Sequence, residues 1–194
     1  MTSYYDSTKY PHIVHNLLSD EDCDKSGAYA SLSDELYEGS MYDTDFWNKR
    51  TLNAINMPPD LKQIMVDTCI KMGKELERIS ESGPLYPDLL QVVRWMKGYE
   101  LFPHADKEEP DGRPHPFPWR DFATLVYLND DYVGGETHFP NKGIEYKPKK
   151  GDFITFPGTV EFLHGVRETT TGVRYTIASF HTYDESKSCL VSLL

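Results

Sequence analysis

The chain has 194 residues, of which 39% are hydrophobic and 26% charged, so it is long enough to bury a core and has the composition of an ordinary globular protein. Its formal net charge of −11 disfavours binding to nucleic acid through the phosphate backbone. No apolar run approaches the roughly 18 residues that a membrane-spanning helix needs, so we expect neither a nucleic-acid nor a membrane partner.

The first residues and the cysteines predict a cytoplasmic protein. The start, MTSYYDSTKYPHIVHNLL, lacks a basic region followed by an apolar stretch, so we expect no signal peptide. The three cysteines are odd in number and share no metal-ligand spacing, which favours reduced thiols. The oligomeric state stays open.

The first half of the chain reads as mostly helical. Ser19 followed by acidic residues predicts a helix that runs to about residue 37. Pro58 and Pro59 suit the first turn of a second helix, over 58–80. Its apolar residues recur at steps of three and four and form one face: Leu61, Ile64, Met65, Thr68, Cys69, Met72, Leu76 and Ile79.

From about residue 89 the pattern changes to short β-rich runs separated by Gly and Pro. Helices followed by strands predict an α+β protein with helices packed on a sheet. The Pro-rich segment 107–119 is expected to be a loop that covers a site or binds a ligand. We treat residues 1–194 as one domain.

His104 and Asp106 form the first candidate site. Residues at i and i+2 of a strand face the same way, so the pair can share a metal ion, although the same spacing is common in solvated turns. His164, in EFLHGV, is the preferred third ligand, whereas His138 and His181 are expected to be structural or surface residues and His115 lies in the Pro-rich loop. Two imidazoles and one carboxylate with open positions are diagnostic of non-haem Fe(II) oxygenases.

Arg174 lies near the start of the last β-rich run, GVRYTIASF. Alternation puts Arg174, Thr176, Ala178 and Phe180 on one face, where the small Thr and Ala leave room beside the arginine. A buried arginine needs a partner. A dicarboxylate co-substrate would supply one through a bidentate contact, and one of the 31 acidic residues of the chain is the alternative.

The ordered motifs RWMKGYELFPHAD, FATLVYLNDDYVGGETHFP, KPKKGDFITFP, FLHGV and GVRYTIASF resemble the prolyl 4-hydroxylase-like branch of the 2-oxoglutarate- and Fe(II)-dependent oxygenases. The resemblance spans about residues 89–182. It implies a double-stranded β-helix, a jelly roll of the cupin-like kind, as the core over about 86–184, with helical support over about 1–85.

The resemblance also implies roles for individual residues. His104, Asp106 and His164 match the iron ligands, and Arg174 matches the residue that binds the far carboxylate of 2-oxoglutarate. The other matches are Tyr127 and Trp95 for the co-substrate and Arg120, Trp119 and Phe180 for the substrate.

The implied reaction is hydroxylation of prolyl residues in a peptide or protein with Fe(II), 2-oxoglutarate and O2, releasing succinate and CO2, with ascorbate as a candidate reductant. Asp106 argues against the halogenases, which lack this carboxylate. Phe180 stands where nucleic-acid demethylases carry a second arginine. A hydroxylase of a free amino acid or other small molecule, a binding module without catalysis and a zinc hydrolase remain open as competing interpretations.

Overall fold

The computed structural model describes residues 5–37, 46–111, 113 and 115–193. The strands described are β1 His12–Val14, β2 Thr51–Asn53, β3 Tyr86–Trp95, β4 Leu101–His104, β5 Phe122–Tyr127, β6 Val133–Gly134, β7 Thr137–Phe139, β8 Ile144–Tyr146, β9 Phe153–Pro157, β10 His164–Val166, β11 Thr169–Thr171 and β12 Arg174–Thr182. The α-helices described are α1 Asp20–Ala30, α2 Pro59–Ser80 and α3 Leu190–Leu193.

Helix α1 starts as the sequence predicts but ends early. The Ser19 side chain accepts a hydrogen bond from the backbone N–H of Asp22, which caps the first turn. The predicted end near residue 37 is wrong, because the helix stops at Ala30 and a separate 3-10 turn follows at Asp34–Tyr37. The Tyr37 hydroxyl donates to the carbonyl of Ala30 at 2.8 Å, so the chain folds back on the helix end.

Helix α2 agrees with the predicted amphipathic pattern. Its apolar side, including Met65, Cys69 and Met72, packs in one buried cluster with Leu90 of β3 and Ile177 of β12. The helix therefore covers the outer face of the sheet that contains β3 and β12. No helix in the described ranges is both long and apolar enough to cross a membrane.

The strands form two main antiparallel sheets. The six-stranded sheet has the order β1-β9-β5-β12-β3-β2, and the four-stranded sheet has the order β4-β10-β7-β8. A small third sheet pairs β11 with β6. Side chains from both main sheets line one cavity, so the two sheets face each other as the walls of a jelly roll.

Strand β12 separates the packed side of the large sheet from the cavity side. Arg174, Thr176, Ala178 and Phe180 line the cavity, whereas Ile177 belongs to the cluster under α2. This alternation is the one that the sequence predicts. Because β12 pairs with both β3 and β5, their cavity-facing residues lie beside its own.

Candidate active site

The cavity between the two sheets has a volume of about 290 Å³. Its walls come from β3, β5 and β12 on one side and from β4, β7 and β10 on the other. The predicted metal ligands and the predicted co-substrate arginine both line this cavity. Residues that are far apart in the sequence therefore open into one space.

Strand pairing brings the two candidate histidine ligands together. His104 ends β4, and its partner across the antiparallel ladder is His164, which begins β10. Their ring centroids are 4.4 Å apart. The sheet therefore fixes this pair by its backbone register.

Asp106 reaches the histidines from outside the strand. Strand β4 ends at His104, so strand alternation does not place the carboxylate as the sequence suggested. The backbone N–H of Asp106 instead donates to the carbonyl of Gly158 at 2.9 Å. A Cβ on Gly158 would lie 2.4 Å from the carbonyl oxygen of Arg120 and 3.2 Å from the Asp106 Cβ, so only glycine permits this close approach.

The three side chains form a compact set of ligand atoms. Nε2 of His104 lies 3.6 Å from one carboxylate oxygen of Asp106, and Nε2 of His164 lies 3.6 Å from the other. These separations exceed an ordinary hydrogen bond. All three ligand atoms lie within 4.8 Å of one another, and no other His, Cys, Asp or Glu cluster among the described residues could hold a metal ion.

Backbone carbonyls orient both rings. Nδ1 of His104 lies 3.1 Å from the carbonyl oxygen of Phe102, and Nδ1 of His164 lies 3.2 Å from that of Phe162. Each carbonyl can only accept, so in the neutral rings Nδ1 carries the proton and Nε2 keeps its lone pair for a metal. The orientation suits metal binding.

The electrostatics of the three groups are coupled. Burial opposes the charge on Asp106, but His164, His104 and Arg120 outweigh it and lower its pKa. Burial lowers the pKa of His164 to about 4, so this ring is neutral near pH 7. Burial also opposes protonation of His104, yet its contact with Asp106 raises its pKa overall. One carboxylate and at least one neutral imidazole thus face the cavity.

Arg174 is buried with an incomplete set of partners. Its side chain is 1% exposed, and Nη2 donates to the Thr137 hydroxyl at 3.1 Å. Nε and Nη1 have no hydrogen-bond partner, and no described Asp or Glu forms a salt bridge with this guanidinium. Among the described residues, therefore, no acidic side chain is the partner of Arg174.

Tyr127 and Trp95 lie beside Arg174 as the resemblance implies. The Arg174 guanidinium carbon lies 5.0 Å from the Tyr127 ring centroid and 5.8 Å from the nearest Trp95 ring centroid. The Tyr127 hydroxyl shares a 2.7 Å hydrogen bond with Thr137, which also accepts from Arg174. Trp95 lines the cavity and presents its aromatic ring to the wall beside Arg174.

The three predicted substrate residues do not all lie in the cavity. Arg120 and Phe180 line the cavity, and the Arg120 guanidinium carbon lies 3.9 Å from the Phe180 ring centroid. Trp119 lies outside the cavity, where its indole N–H donates to Asp88 at 2.8 Å and Lys187 covers its ring. Nε of Arg120 donates to the same oxygen of Asp88 at 3.0 Å. The substrate roles of these residues stay predictions.

The remaining histidines lie outside the ligand group, and Trp47 and Thr137 are among the cavity residues that were not predicted. His138 and His181 are buried but do not join the ligand group, whereas His115 lines the cavity mouth. Trp47 lies in no motif and reaches the cavity from before α2, so no sequence signal pointed to it. Thr137 was given no role either, although it stands in the quoted GGET run.

The model of the 2OG-Fe(II) oxygenase superfamily matches residues 90–182, the segment that supplies the candidate ligands and Arg174. Over this segment the chain is similar to that superfamily. The predicted resemblance to prolyl hydroxylase-like oxygenases is thereby confirmed.

The relatives of this chain bear the names of both 3- and 4-hydroxylases. Prolyl 3-hydroxylase 3 of Homo sapiens is 37% identical over 116 residues, which are 57% of this chain and 14% of the human protein. A putative prolyl 4-hydroxylase of Acanthamoeba polyphaga mimivirus is 23% identical over 75% of this chain and 60% of its own length. The chain thus spans only a small part of the human relative.

Solved structures confirm the predicted double-stranded β-helix fold. The viral collagen prolyl hydroxylase of Paramecium bursaria Chlorella virus-1, in its 2OG complex, matches with a TM-score of 0.66 and 20% identity over 95% of this chain and 98% of its own. A Pseudomonas putida prolyl-4-hydroxylase matches with a TM-score of 0.61 and 15% identity over 89% of this chain and 91% of its own.

The predicted cofactors fit the residues of this cavity. Two imidazoles and a carboxylate are suitable ligands for Fe(II), and the unpaired donors of Arg174 suit the far carboxylate of 2-oxoglutarate. The superfamily assignment agrees with Fe(II), 2-oxoglutarate and O2. Ascorbate remains a prediction.

Proposed function

We propose that this chain is a 2-oxoglutarate- and Fe(II)-dependent oxygenase that hydroxylates prolyl residues of a peptide or protein, releasing succinate and CO2. One observation carries the proposal: the three candidate ligands and the buried Arg174, which lacks an acidic partner in the described chain, open into the same cavity. The names of the relatives support a prolyl substrate.

Each residue has a distinct task in the proposed reaction. His104, Asp106 and His164 would hold Fe(II), and Arg174 with Thr137 would hold the far carboxylate of 2-oxoglutarate. When bound, Fe(II) and 2-oxoglutarate would supply the oxidising chemistry that inserts one oxygen atom of O2 into a C–H bond. The protein positions both groups and keeps the surrounding space largely apolar through side chains such as Val93, Leu125 and Ala178.

The charge of the cavity favours a residue within a peptide over a free amino acid. A free amino acid carries an ammonium group, and burying that charge is costly unless an acidic side chain pairs with it. Asp106 is the only acidic residue among the described cavity-lining residues, and it is assigned to the metal. A prolyl residue inside a peptide has no such charge, and its apolar ring suits Phe117 and Phe180 on the wall.

A zinc hydrolase and a non-catalytic binding module each leave an observation unexplained. A zinc hydrolase with the same three ligands gives no role to the unpaired donors of Arg174. A binding module gives no reason for the ligand group and Arg174 to share a cavity. A cytoplasmic location, a single domain over residues 1–194 and the absence of nucleic-acid partners remain predictions from the sequence.

The proposal is tested by succinate release in the presence of Fe(II) and 2-oxoglutarate. A panel of proline-containing peptides is compared with the same peptides carrying alanine for proline and with free proline. We expect release that depends on the prolyl peptide, with the mass of one oxygen atom added to that proline. Turnover with free proline and none with any peptide would contradict the peptide assignment.

A further inference from the structure

Three buried side chains meet at Gly135, next to the co-substrate arginine. A Cβ on Gly135 would lie 3.0 Å from the Tyr132 ring, 3.1 Å from Oγ1 of Thr169 and 3.2 Å from Cδ of Arg174. Gly135 also has a φ of +67°, which glycine adopts without strain. The absent side chain at this position therefore lets the three groups approach one another.

These side chains carry buried polar atoms without partners. The hydroxyl of Tyr132, Oγ1 of Thr169 and the Nε and Nη1 donors of Arg174 make no well-formed hydrogen bond. Arg174 nevertheless lies close enough to the Tyr132 hydroxyl to act as a weak donor that opposes the rise in its pKa. Tyr132 is 4% exposed and Thr169 is fully buried. Buried polar groups are normally hydrogen-bonded, so a cluster of unpaired ones points to an arrangement that is completed when a ligand binds.

A count of donors shows what the arrangement lacks. A guanidinium has five N–H donors. Thr137 takes one, and a bidentate carboxylate would take two. Two donors remain in a side chain that is 1% exposed, and the two unpaired oxygens beside it belong to Tyr132 and Thr169. The count closes if these two oxygens accept the remaining bonds.

We propose that Tyr132 and Thr169 are positioning residues that fix the Arg174 guanidinium in the orientation that takes the far carboxylate of 2-oxoglutarate. This inference rests on the proposed function. It assigns the two residues no contact with the co-substrate, since neither lines the cavity.

The chemistry of the two residues suits this task. Burial raises the pKa of Tyr132, with the nearby Arg174 opposing it, so the phenol stays neutral. A neutral acceptor orients the guanidinium without cancelling its charge, whereas a carboxylate here would compete with the co-substrate. Nζ of Lys147 lies 4.1 Å from the Tyr132 ring centroid and donates to the Tyr132 carbonyl, which holds the ring in place.

The test compares two 2-oxo acids on the intact protein with Fe(II) under anaerobic conditions. Affinities for 2-oxoglutarate and for 2-oxovalerate, which has a methyl group in place of the far carboxylate, are measured by titrating the visible absorption of the iron complex. Their ratio isolates the contact with Arg174. We expect Tyr132→Phe and Thr169→Val each to lower this preference about fivefold by loss of one hydrogen bond, and Thr169→Ser to retain it.

The control is Tyr10→Phe, which also removes a buried and unpaired hydroxyl but lies in the cluster with Phe122 and Phe162. It should leave the preference unchanged. An unchanged preference in folded Tyr132→Phe and Thr169→Val would overturn the inference. A wild-type protein that binds iron but does not prefer 2-oxoglutarate would overturn the co-substrate assignment itself, and that result is visible before any variant is made.

Discussion

The two faces of the six-stranded sheet each bury an arginine, and the protein treats the two charges differently. Arg94 of β3 faces the helical side, where it donates to Asp34 at 2.6 Å and to the carbonyl of Lys49 at 2.8 Å and stacks on Tyr37. Arg174 of β12 faces the cavity, and among the described residues its one well-formed hydrogen bond goes to Thr137. The fold itself supplies hydrogen-bond partners for Arg94, whereas Arg174 keeps donors that a bound carboxylate can use.

Exchanging each arginine for methionine should separate the two roles most strongly. Arg174→Met removes a bidentate charged contact, so 2-oxoglutarate should bind about 100-fold more weakly or worse. The free energy of unfolding without ligand should stay the same or rise, because an incompletely paired buried charge is lost. Arg94→Met should instead lower it by about 1–3 kcal/mol and leave 2-oxoglutarate binding intact.

Urea unfolding and co-substrate titration of both variants measure this contrast. If Arg174→Met were the less stable variant and bound 2-oxoglutarate normally, the contrast between the two arginines would fail.

His181 lies on the helix-packed side of the same sheet, and it should make the stability of the protein depend on pH. Burial lowers the pKa of His181 to about 4, and a Cβ on Gly73 of α2 would lie only 3.3 Å from its Nε2. The unfolded ring has a pKa of about 6.5, so the unfolded state binds more protons between these values and stability falls as pH drops through this window. His181→Gln should remove up to about 3 kcal/mol of that pH-dependent loss.

Unfolding free energies of the metal-free protein at pH 4.5 and 7 would show the effect of His181→Gln. An identical pH dependence in wild type and variant would mean that His181 is not held neutral by the fold.

Substitution of Gly158 shows how strongly Fe(II) binding on the cavity side depends on the close approach of the backbone at this position. The added methyl group of Gly158→Ala would collide with the carbonyl of Arg120 and press on Asp106, so we expect a loss of about 2 kcal/mol in stability and weaker Fe(II) binding. Gly27→Ala is the control, because a Cβ there meets nothing within 4 Å in α1. Equal iron affinity in Gly158→Ala and wild type would contradict the proposed placement of Asp106.

Asp88 and Asp34 extend the comparison to the anchors of two arginines. Asp88 of β3 accepts hydrogen bonds from Trp119 and Arg120, which lie at the end of the loop after β4. Asp88→Asn should weaken both contacts, displace the cavity wall at Phe117 and raise KM for a peptide about fivefold, with little change for 2-oxoglutarate. Asp34→Asn, on the other face, should change stability only. Steady-state kinetics with a prolyl peptide would distinguish them, and equal KM values would argue against the Asp88 anchor.

The sequence predicted those features that rest on periodicity or on motif order. Apolar steps of three and four located α2, and alternation in β12 placed Arg174, Thr176 and Ala178 on the cavity side. The candidate ligands were identifiable because their motifs occur in a fixed order.

Features that depend on contacts distant in the sequence were missed. Asp106 is placed by the carbonyl of Gly158. Trp119 lies outside the cavity, with its indole N–H bound to Asp88 of β3. No local pattern encodes these partners, since each depends on how separate elements pack.

The central claim is that His104, Asp106 and His164 hold Fe(II) and that Arg174 binds 2-oxoglutarate beside it. The most direct test is an anaerobic titration of metal-free protein with Fe(II) and 2-oxoglutarate, followed by the visible absorption of the chelate. His138→Ala, which removes a buried histidine outside the ligand group, is the control for His164→Ala. We predict the absorption band in wild type and His138→Ala and its loss in His164→Ala. A folded wild-type protein without the band, or a band that survives in His164→Ala, would contradict the account.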